Sequence, residues 1–251
     1  MIKKSLIVFG GSSKSLSLIK ELNPVRVYWQ DEISNKKKYV DALNSIDHQL
    51  NDIICVNWPF ITPEADLVNG NIYTIHESLL PGFSGCAPVN WSIIEGSSLF
   101  GITLFRQSKE VDAGHILFRD GFYMNNANAT AVFKRMEICY EKCARFIYEN
   151  NLQKCKKLLN FGNRSYYFKR TPAENVIQEG FDPDRLVNLF LSTTSDYPLI
   201  YESLKERYRI YSIQIFNDIV DYLPLGKPPS NAIKIDFYNR SFILFGEKLD
   251  D

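Results

Sequence analysis

The sequence predicts an α/β fold, a doubly wound and mostly parallel sheet followed by a small β-rich C-terminal domain. Three observations carry that expectation. The chain opens on an apolar run, Ser5 to Phe9, followed by the turn Gly10-Gly11-Ser12-Ser13 and a helical stretch to about Leu22. Strand, tight turn and helix in that order begin a doubly wound sheet. Arg26 to Trp29 and Asp52 to Val56 read as further strands, the second of them buried. From Tyr166 onward the texture changes to short β-like runs at Arg209 to Phe216, Asn231 to Phe237 and Ser241 to Phe245.

Composition bounds the class. A chain of 251 residues with 45% apolar content can build one ordinary α/β domain and a small appendage. No apolar run approaches the ~18 residues of a membrane span. The start, Met1 to Gly10, has too short an apolar core for a signal peptide, and no small-residue cleavage site follows it. A first buried strand and a cytoplasmic location are expected. The five cysteines (Cys55, Cys86, Cys139, Cys143, Cys155) are odd in number and form no C-x-x-C pair. Cys139 and Cys143 sit one helical turn apart on an apolar face with no suitably spaced His, which reads as packed core; neither a disulfide nor a metal is expected. Net charge is zero, and Ser165 to the end holds ten Lys/Arg against thirteen Asp/Glu. A nucleic-acid binder would need a basic excess, so none is expected as a partner.

Element by element, the glycine turn after the first strand lacks the full G-x-G-x-x-G pattern and predicts a tight βα turn, open to an anion at its helix, with no dinucleotide site. Lys36-Lys37-Lys38 reads as a solvated face. Asp52 to Val56 leads into Asn57-Trp58-Pro59-Phe60-Ile61-Thr62-Pro63. A short β-run, Ile72 to Ile75, delivers His76 at its end, before a loop punctuated by Pro81, Gly82, Gly85 and Pro88. A helix-like patch, Trp91 to Ile94, and a β-run, Gly101 to Arg106, lead to Asp112-Ala113-Gly114. Groups on loops at strand ends are held by the sheet and open to substrate, so His76 and Asp112 are candidates for an acid/base pair. Ile116 to Phe122 predicts a strand and Asn125 to Asn128 a polar turn. Thr130 to Glu149 predicts a helix whose stripe of Val132, Phe133, Met136, Cys139, Tyr140, Cys143, Phe146 and Ile147 packs on the sheet. The linker is expected at Leu159 to Arg164, between a catalytic domain of residues 1–160 and a small α+β domain of residues 165–251. Asp182 to Leu191 predicts a helix capped by Asp182, with Pro183 at its first position. Tyr238-Asn239-Arg240 reads as a hairpin turn. His48 is expected to be solvated in a polar loop, and His115 to be a bystander. Ser78 has no G-x-S-x-G elbow around it and is expected to shape the loop. Apolar edges in the C-terminal region are compatible with a homodimer.

The ordered series His76-x-Ser78-Leu79-Leu80-Pro81, Gly85-x-x-Pro88-x-x-Trp91, Gly96, Gly101-x-Thr103 and Asp112-x-Gly114-x-Ile116 resembles the core of the folate-dependent formyltransferases. Length, the mildly acidic C-terminal region and the Trp91 segment resemble the sugar-nucleotide N-formyltransferases most. The resemblance implies N10-formyltetrahydrofolate as formyl donor and a nucleotide-linked amino sugar, such as a dideoxy-amino hexose of a surface polysaccharide, as acceptor. His76-Glu77-Ser78 also resembles formyltransferases of nonulosonic acid pathways. Trp58 and Phe60 suit a flat pteridine ring and equally suit a core; with Ile61, Val111 and Gly114 they are the expected folate contacts.

In the resembled enzymes an Asn, a His and an Asp do the chemistry. His76 would donate to the developing oxyanion, a contribution of roughly 3 kcal/mol when well aimed, and Asp112 would hold that imidazole and take up the amine proton. The position of the Asn is Thr74, whose hydroxyl is shorter and less polarising. Asn71 cannot replace it, because three residues along a strand from position 74 is the opposite face. Three readings stay open: weaker oxyanion support, another group filling the gap, or a site that only binds. Ser84 stands where the family often has Arg before the glycine, which puts an anion contact there in doubt. The rivals are a formyltetrahydrofolate hydrolase, a methionyl-tRNA formyltransferase, and a non-catalytic folate or sugar-nucleotide binding module.

Overall fold

The computed structural model describes residues 4–11, 16–69, 71–177, 182–194, 197–202, 206–216, 232–237 and 240–249. Two compact units emerge. The first gathers Met1–Pro88, Leu99–Met124 and Val132–Phe168; the second gathers Val89–Ser98, Asn125–Ala131 and Lys169–Asp251. The division thus falls a few residues later than the 160–165 expected from sequence, and two internal segments belong with the C-terminal part.

In chain order come β1 (Ser5–Gly10), α1 (Leu16–Leu22), β2 (Arg26–Trp29), α2 (Lys36–Asn44), β3 (Asn51–Val56), α3 (Glu64–Asn69), β4 (Ile72–His76) and β5 (Ser84–Gly85). Next are α4 (Pro88–Ile94), β6 (Leu99–Arg106), β7 (Ile116–Tyr123), α5 (Ala129–Glu149) and β8 (Tyr166–Tyr167). Six strands form the main sheet in the order β2-β1-β3-β4-β6-β7, parallel from β2 to β4 and antiparallel at β6 and β7. The mixed α/β, largely parallel sheet is the fold class the sequence predicts. β3, β4 and β6 are buried along most of their length, as expected of strands covered on both faces.

Register places Tyr28, Phe9, Cys55, Thr74 and Phe105 in one row across this sheet. Alternation along each strand then sorts the side chains. Ile7, Phe9, Ile53, Cys55 and Ile72 share a face and join Tyr39 and Leu43 of α2 in one apolar cluster. Tyr39 and Leu43 are four apart and fully buried, which is why a helix opening on Lys36-Lys37-Lys38 stays docked with its lysines in solvent. Asn35 caps it, accepting from Lys38 N at 3.0 Å. This helix escaped the sequence reading, where the lysine run hid its two-residue apolar stripe. On α5, Val132, Met136, Cys139, Tyr140, Cys143 and Ile147 are buried, as their spacing predicts.

The second unit adds a 3-10 turn (Pro172–Asn175), β9 (Val176–Ile177), α6 (Pro183–Leu191), β10 (Leu199–Glu202), β11 (Arg207–Phe216), β12 (Ala232–Phe237) and β13 (Arg240–Leu249). Its sheet runs β12-β13-β11-β10-β9. Ile94, Ile177, Leu186, Leu189, Leu199, Ile210 and Leu244 form its core, with Trp91 packed against it. Asp182 caps α6 and Pro183 opens it, as predicted. The expected turn at Tyr238-Asn239-Arg240 lies partly outside the described residues.

Among the described residues no helix is long and apolar enough to cross a membrane. Tyr39 is the pivot between core and site wall: its hydroxyl is 2.8 Å from Thr62 Oγ1 and 3.7 Å from Cys55 Sγ, and burial pushes its phenol well up. Tyr39→Phe should remove about 1 kcal/mol of stability, read as a lower urea midpoint at unchanged slope.

Candidate active site

The loop after β4 is tied down by its own polar side chains. Thr103 Oγ1 donates to the Ser78 carbonyl at 2.7 Å and accepts from Leu80 N at 3.1 Å. Ser78 Oγ donates to the Gly82 carbonyl at 2.7 Å, which gives Ser78 the loop-shaping role expected of it. Arg119 Nη1 holds the Leu80 carbonyl at 2.8 Å. The returning chain then zips onto the loop: β5 and β8 pair in parallel, Ser84 opposite Tyr166 and Gly85 opposite Tyr167. A Cβ on Gly85 would lie 2.1 Å from the Tyr167 carbonyl oxygen, so only glycine admits this pairing.

His76 ends β4 and Glu77 follows it, the two side chains on opposite faces. Glu77 is buried; its Oε1 accepts from the Tyr140 hydroxyl of α5 and from Asn57 Nδ2 at 3.2 Å. Burial, then the neighbouring carboxylate, pushes the Tyr140 phenol up. His76 faces the other way. Its Nε2 lies 2.9 Å from the Phe83 carbonyl, which can only accept, so Nε2 carries the proton and Nδ1 is left to exchange one. Nδ1 faces Asp112 Oδ2 across 3.9 Å, both side chains nearly buried. That carboxylate oxygen accepts from Gly85 N at 2.7 Å, and the Asp112 carbonyl accepts from Asn160 Nδ2 at 2.7 Å. Asp112 is held in a left-handed conformation (φ +53°), as are Asn57, Phe83 and Ala87 (φ +50°, +54° and +50°). Such strain persists where surrounding structure over-determines it, and it concentrates at functional sites.

A cleft of about 380 Å³ opens over this face, and Thr74, His76, Gly85, Asp112, Trp58, Phe60, Ile61 and Val111 all line it. The volume is that of a small-molecule site. Trp58 and Phe60 pack on Tyr39 at ring-centroid distances of 5.3 and 6.1 Å while facing the cleft, so they are core and wall at once. Gly114 does not line the cleft. A Cβ there would sit 1.7 Å from the Arg106 carbonyl oxygen, and that close approach folds the Asp112 loop back onto β6. Its role is backbone clearance. Asn71 turns away to the His48 carbonyl at 3.2 Å, in line with the parity argument. His48 is not simply solvated: it is half-buried, with Nε2 3.2 Å from the Leu43 carbonyl. His115 is exposed.

Two cleft residues, Gln107 and Tyr166, and one guanidinium beside the β5 loop escaped the sequence reading. Gln107, just past β6, donates from Nε2 to Thr74 Oγ1 at 2.7 Å. Arg164 sets Nε 3.4 Å from Ser84 Oγ and grips the Glu110 carboxylate and the Val111 carbonyl. A guanidinium therefore does stand beside Ser84, supplied from elsewhere in the chain. Tyr166 lines the cleft mouth from β8. Among the described residues no group of His, Cys, Asp and Glu could hold a metal ion.

Residues 13–132 match the family model described as formyl transferase, which bears out the resemblance read from the sequence. The bifunctional polymyxin resistance protein ArnA of Wigglesworthia glossinidia brevipalpis is 28% identical over 209 residues, which are 80% of this chain and 30% of that protein. Among solved structures, a variant of HypX from Aquifex aeolicus superimposes with a TM-score of 0.73 at 18% identity, covering 96% of this chain and 45% of that one. The chain thus spans less than half the length of ArnA and of HypX. An N-formyltransferase from Helicobacter canadensis, solved with folinic acid and dTDP-3-aminofucose, has a TM-score of 0.69 at 12% identity over 98% of this chain and all of that one. At such identities the likeness to solved structures is one of fold.

Gly114→Ala should cost about 1–3 kcal/mol through overpacking and displace Asp112, lowering the thermal midpoint and turnover together. The thiols give a second test. Burial pushes Cys55 and Cys139 up to about 12 and raises Cys143 as well. Thiols raised so far stay protonated at pH 8, where the nucleophilic thiolate is scarce. Alkylation of the native protein at that pH should modify exposed Cys86 and spare these three until the chain is unfolded, as mass spectrometry of peptides would report.

Proposed function

We propose that this chain transfers a formyl group from N10-formyltetrahydrofolate to the amine of a nucleotide-linked amino sugar. One observation carries the reading: His76 and Asp112 oppose each other at 3.9 Å in the wall of an aromatic-lined cleft. The match of residues 13–132 to the formyl transferase model supports the reaction class. A folate donor is supported by the lining of the cleft, where Trp58 and Phe60 stand beside Ile61 and Val111. The acceptor class is supported by the folinic acid and dTDP-3-aminofucose held by the Helicobacter canadensis enzyme of the same fold.

The donor supplies the formyl carbon, which the amine attacks. The chain's residues supply the rest. The attacking amine must be neutral and must lose a proton as its bond to carbon forms. Asp112, an acceptor anchored by the Gly85 amide, takes that proton directly or through His76 Nδ1. The proton then passes to the departing folate nitrogen, so none is gained or lost. Negative charge develops on the formyl oxygen, and donors in a partly dry cleft stabilise it more strongly than water does.

His76→Ala and Asp112→Asn should each lower kcat by about 10²–10³, with the fold intact by circular dichroism. The assay is appearance of tetrahydrofolate, dependent on acceptor, across a panel of nucleotide-linked amino sugars. Wild-type turnover in both variants would sink the assignment. Formate release without any amine would identify a hydrolase, and dependence on charged tRNA a methionyl-tRNA formyltransferase.

A further inference from the structure

Thr74 leaves the proposed chemistry one amide short, and the structure holds an amide at that spot. We infer that Gln107 completes the site, its carboxamide and the Thr74 hydroxyl acting as one donor unit toward the formyl oxygen. The inference rests on the formyl-transfer reading.

Register brings the two together. Thr74 lies opposite Phe105 in the antiparallel β4–β6 pair, so both project to the same face. Gln107 lies two residues beyond Phe105, and its amide donates to the Ile72 carbonyl at 2.9 Å, so the pairing continues and its side chain shares that face. Two positions apart on adjacent strands is the diagonal contact that long side chains bridge. The bridge is the 2.7 Å bond from Nε2 to Thr74 Oγ1.

That bond has a direction with consequences. A hydroxyl that accepts from an amide keeps its own hydrogen for another partner and is polarised by what it accepts. Thr74 therefore presents an O–H to the cleft both residues line. If the ends of the carboxamide exchange, Thr74 donates to Oε1 and the spare hydrogens become those of Gln107 Nε2; the pair still presents a donor. Another neighbour on this floor is the Cys55 thiol, which burial keeps protonated and which is a weak partner that also meets the Gln107 side chain. His76 stands two residues along β4 from Thr74, roughly 6.6 Å at the rise of a strand. The one ring N–H of His76 is held by the Phe83 carbonyl, so the donor toward an oxygen between them comes from the Thr74 side. Gln107 is thus a positioning residue that acts through Thr74.

Four variants test this: Gln107→Met, Thr74→Val, the two combined, and Thr74→Asn combined with Gln107→Met. Each is checked for its thermal midpoint and assayed for kcat and KM. Gln107→Met keeps the shape and removes the amide. It should lower kcat by about 10²–10³, the scale of one lost oxyanion donor, with KM for either substrate changed less than about 3-fold. The Val/Met double variant should be no worse than the weaker single, because residues acting as a unit are lost only once. Thr74→Asn should recover about tenfold or more in the Gln107→Met background. A parallel measurement needs no acceptor: binding of 10-formylfolate and of folate, followed by tryptophan fluorescence. The wild type should prefer the formylated ligand, and Gln107→Met should cut that preference about tenfold, near one hydrogen bond, without changing folate affinity. Near-wild-type kcat in Gln107→Met, losses that multiply in the double variant, or an unchanged preference would each refute the role of Gln107 while leaving the folate reading in force. Failure of the wild type to bind either folate would overturn the formyl-transfer reading, and the inference with it.

Discussion

The antiparallel registration of β6 on β4, with Thr74 opposite Phe105 and His76 opposite Thr103, is the constraint on which the site depends. It decides which side chains share a face. One residue of slip would exchange the two sets, sending Glu77 to the cleft and His76 into the helix layer. Burial makes that slip costly, since Ile75, Phe105 and Thr103 are all almost fully enclosed. Thr103 adds a polar lock, for its hydroxyl is spent on the Ser78 and Leu80 backbone and would be orphaned in any other register. The same residue that faces His76 therefore also shapes the loop behind it.

From that registration the facing of His76 and Asp112 follows by short steps. The loop after β4 returns close enough for Gly85 to donate its amide to Asp112, and Asp112 meets that amide in a left-handed backbone conformation. Non-glycine residues adopt that conformation at a cost of order 1–3 kcal/mol. Arg164 offsets the cost by clamping Glu110 and the Val111 carbonyl, the two residues before Asp112. Gly114, pressed on the Arg106 carbonyl, fixes the far side. The carboxylate is thus held from both ends of its loop, while its functional oxygen faces the imidazole.

Much of this was legible in the sequence. The buried strands, the long helix with its stripe from Val132 to Ile147, and the Asp182-Pro183 helix start are local patterns whose physics is complete within a few residues. His76 and Asp112 were legible for the same reason, as polar residues at the ends of apolar runs among turn-forming glycines. What was not legible depends on register or on long-range pairing. α2 escaped because only Tyr39 and Leu43 anchor it. β5 and β8 escaped because two residues carry no period, and their pairing spans some eighty positions of chain. Gln107 could be found only by counting parity across two strands whose alignment the sequence does not state. The clearance Gly114 provides was hidden for a similar reason, because the facing Arg106 carbonyl is known only once the loop is folded back on β6.

Both departures from the resembled pattern are met in space by residues remote in sequence. An amide is missing at position 74 and a carboxamide arrives from 107; a guanidinium is missing at 84 and one arrives from 164. The two arrivals share no element and no mechanism of placement: Gln107 comes by strand register, Arg164 by the return of the chain to pair β8 with β5. A site relieved of its chemistry would have no physical reason to keep a polar amide on a floor otherwise made of Cys55 and Phe105, where an apolar side chain would pack without a polar group to satisfy. A hydrogen-bonding group beside each of these positions is what demand for that chemistry would produce. It weighs against a module that merely binds, because flat aromatic walls would hold a folate ring without either group.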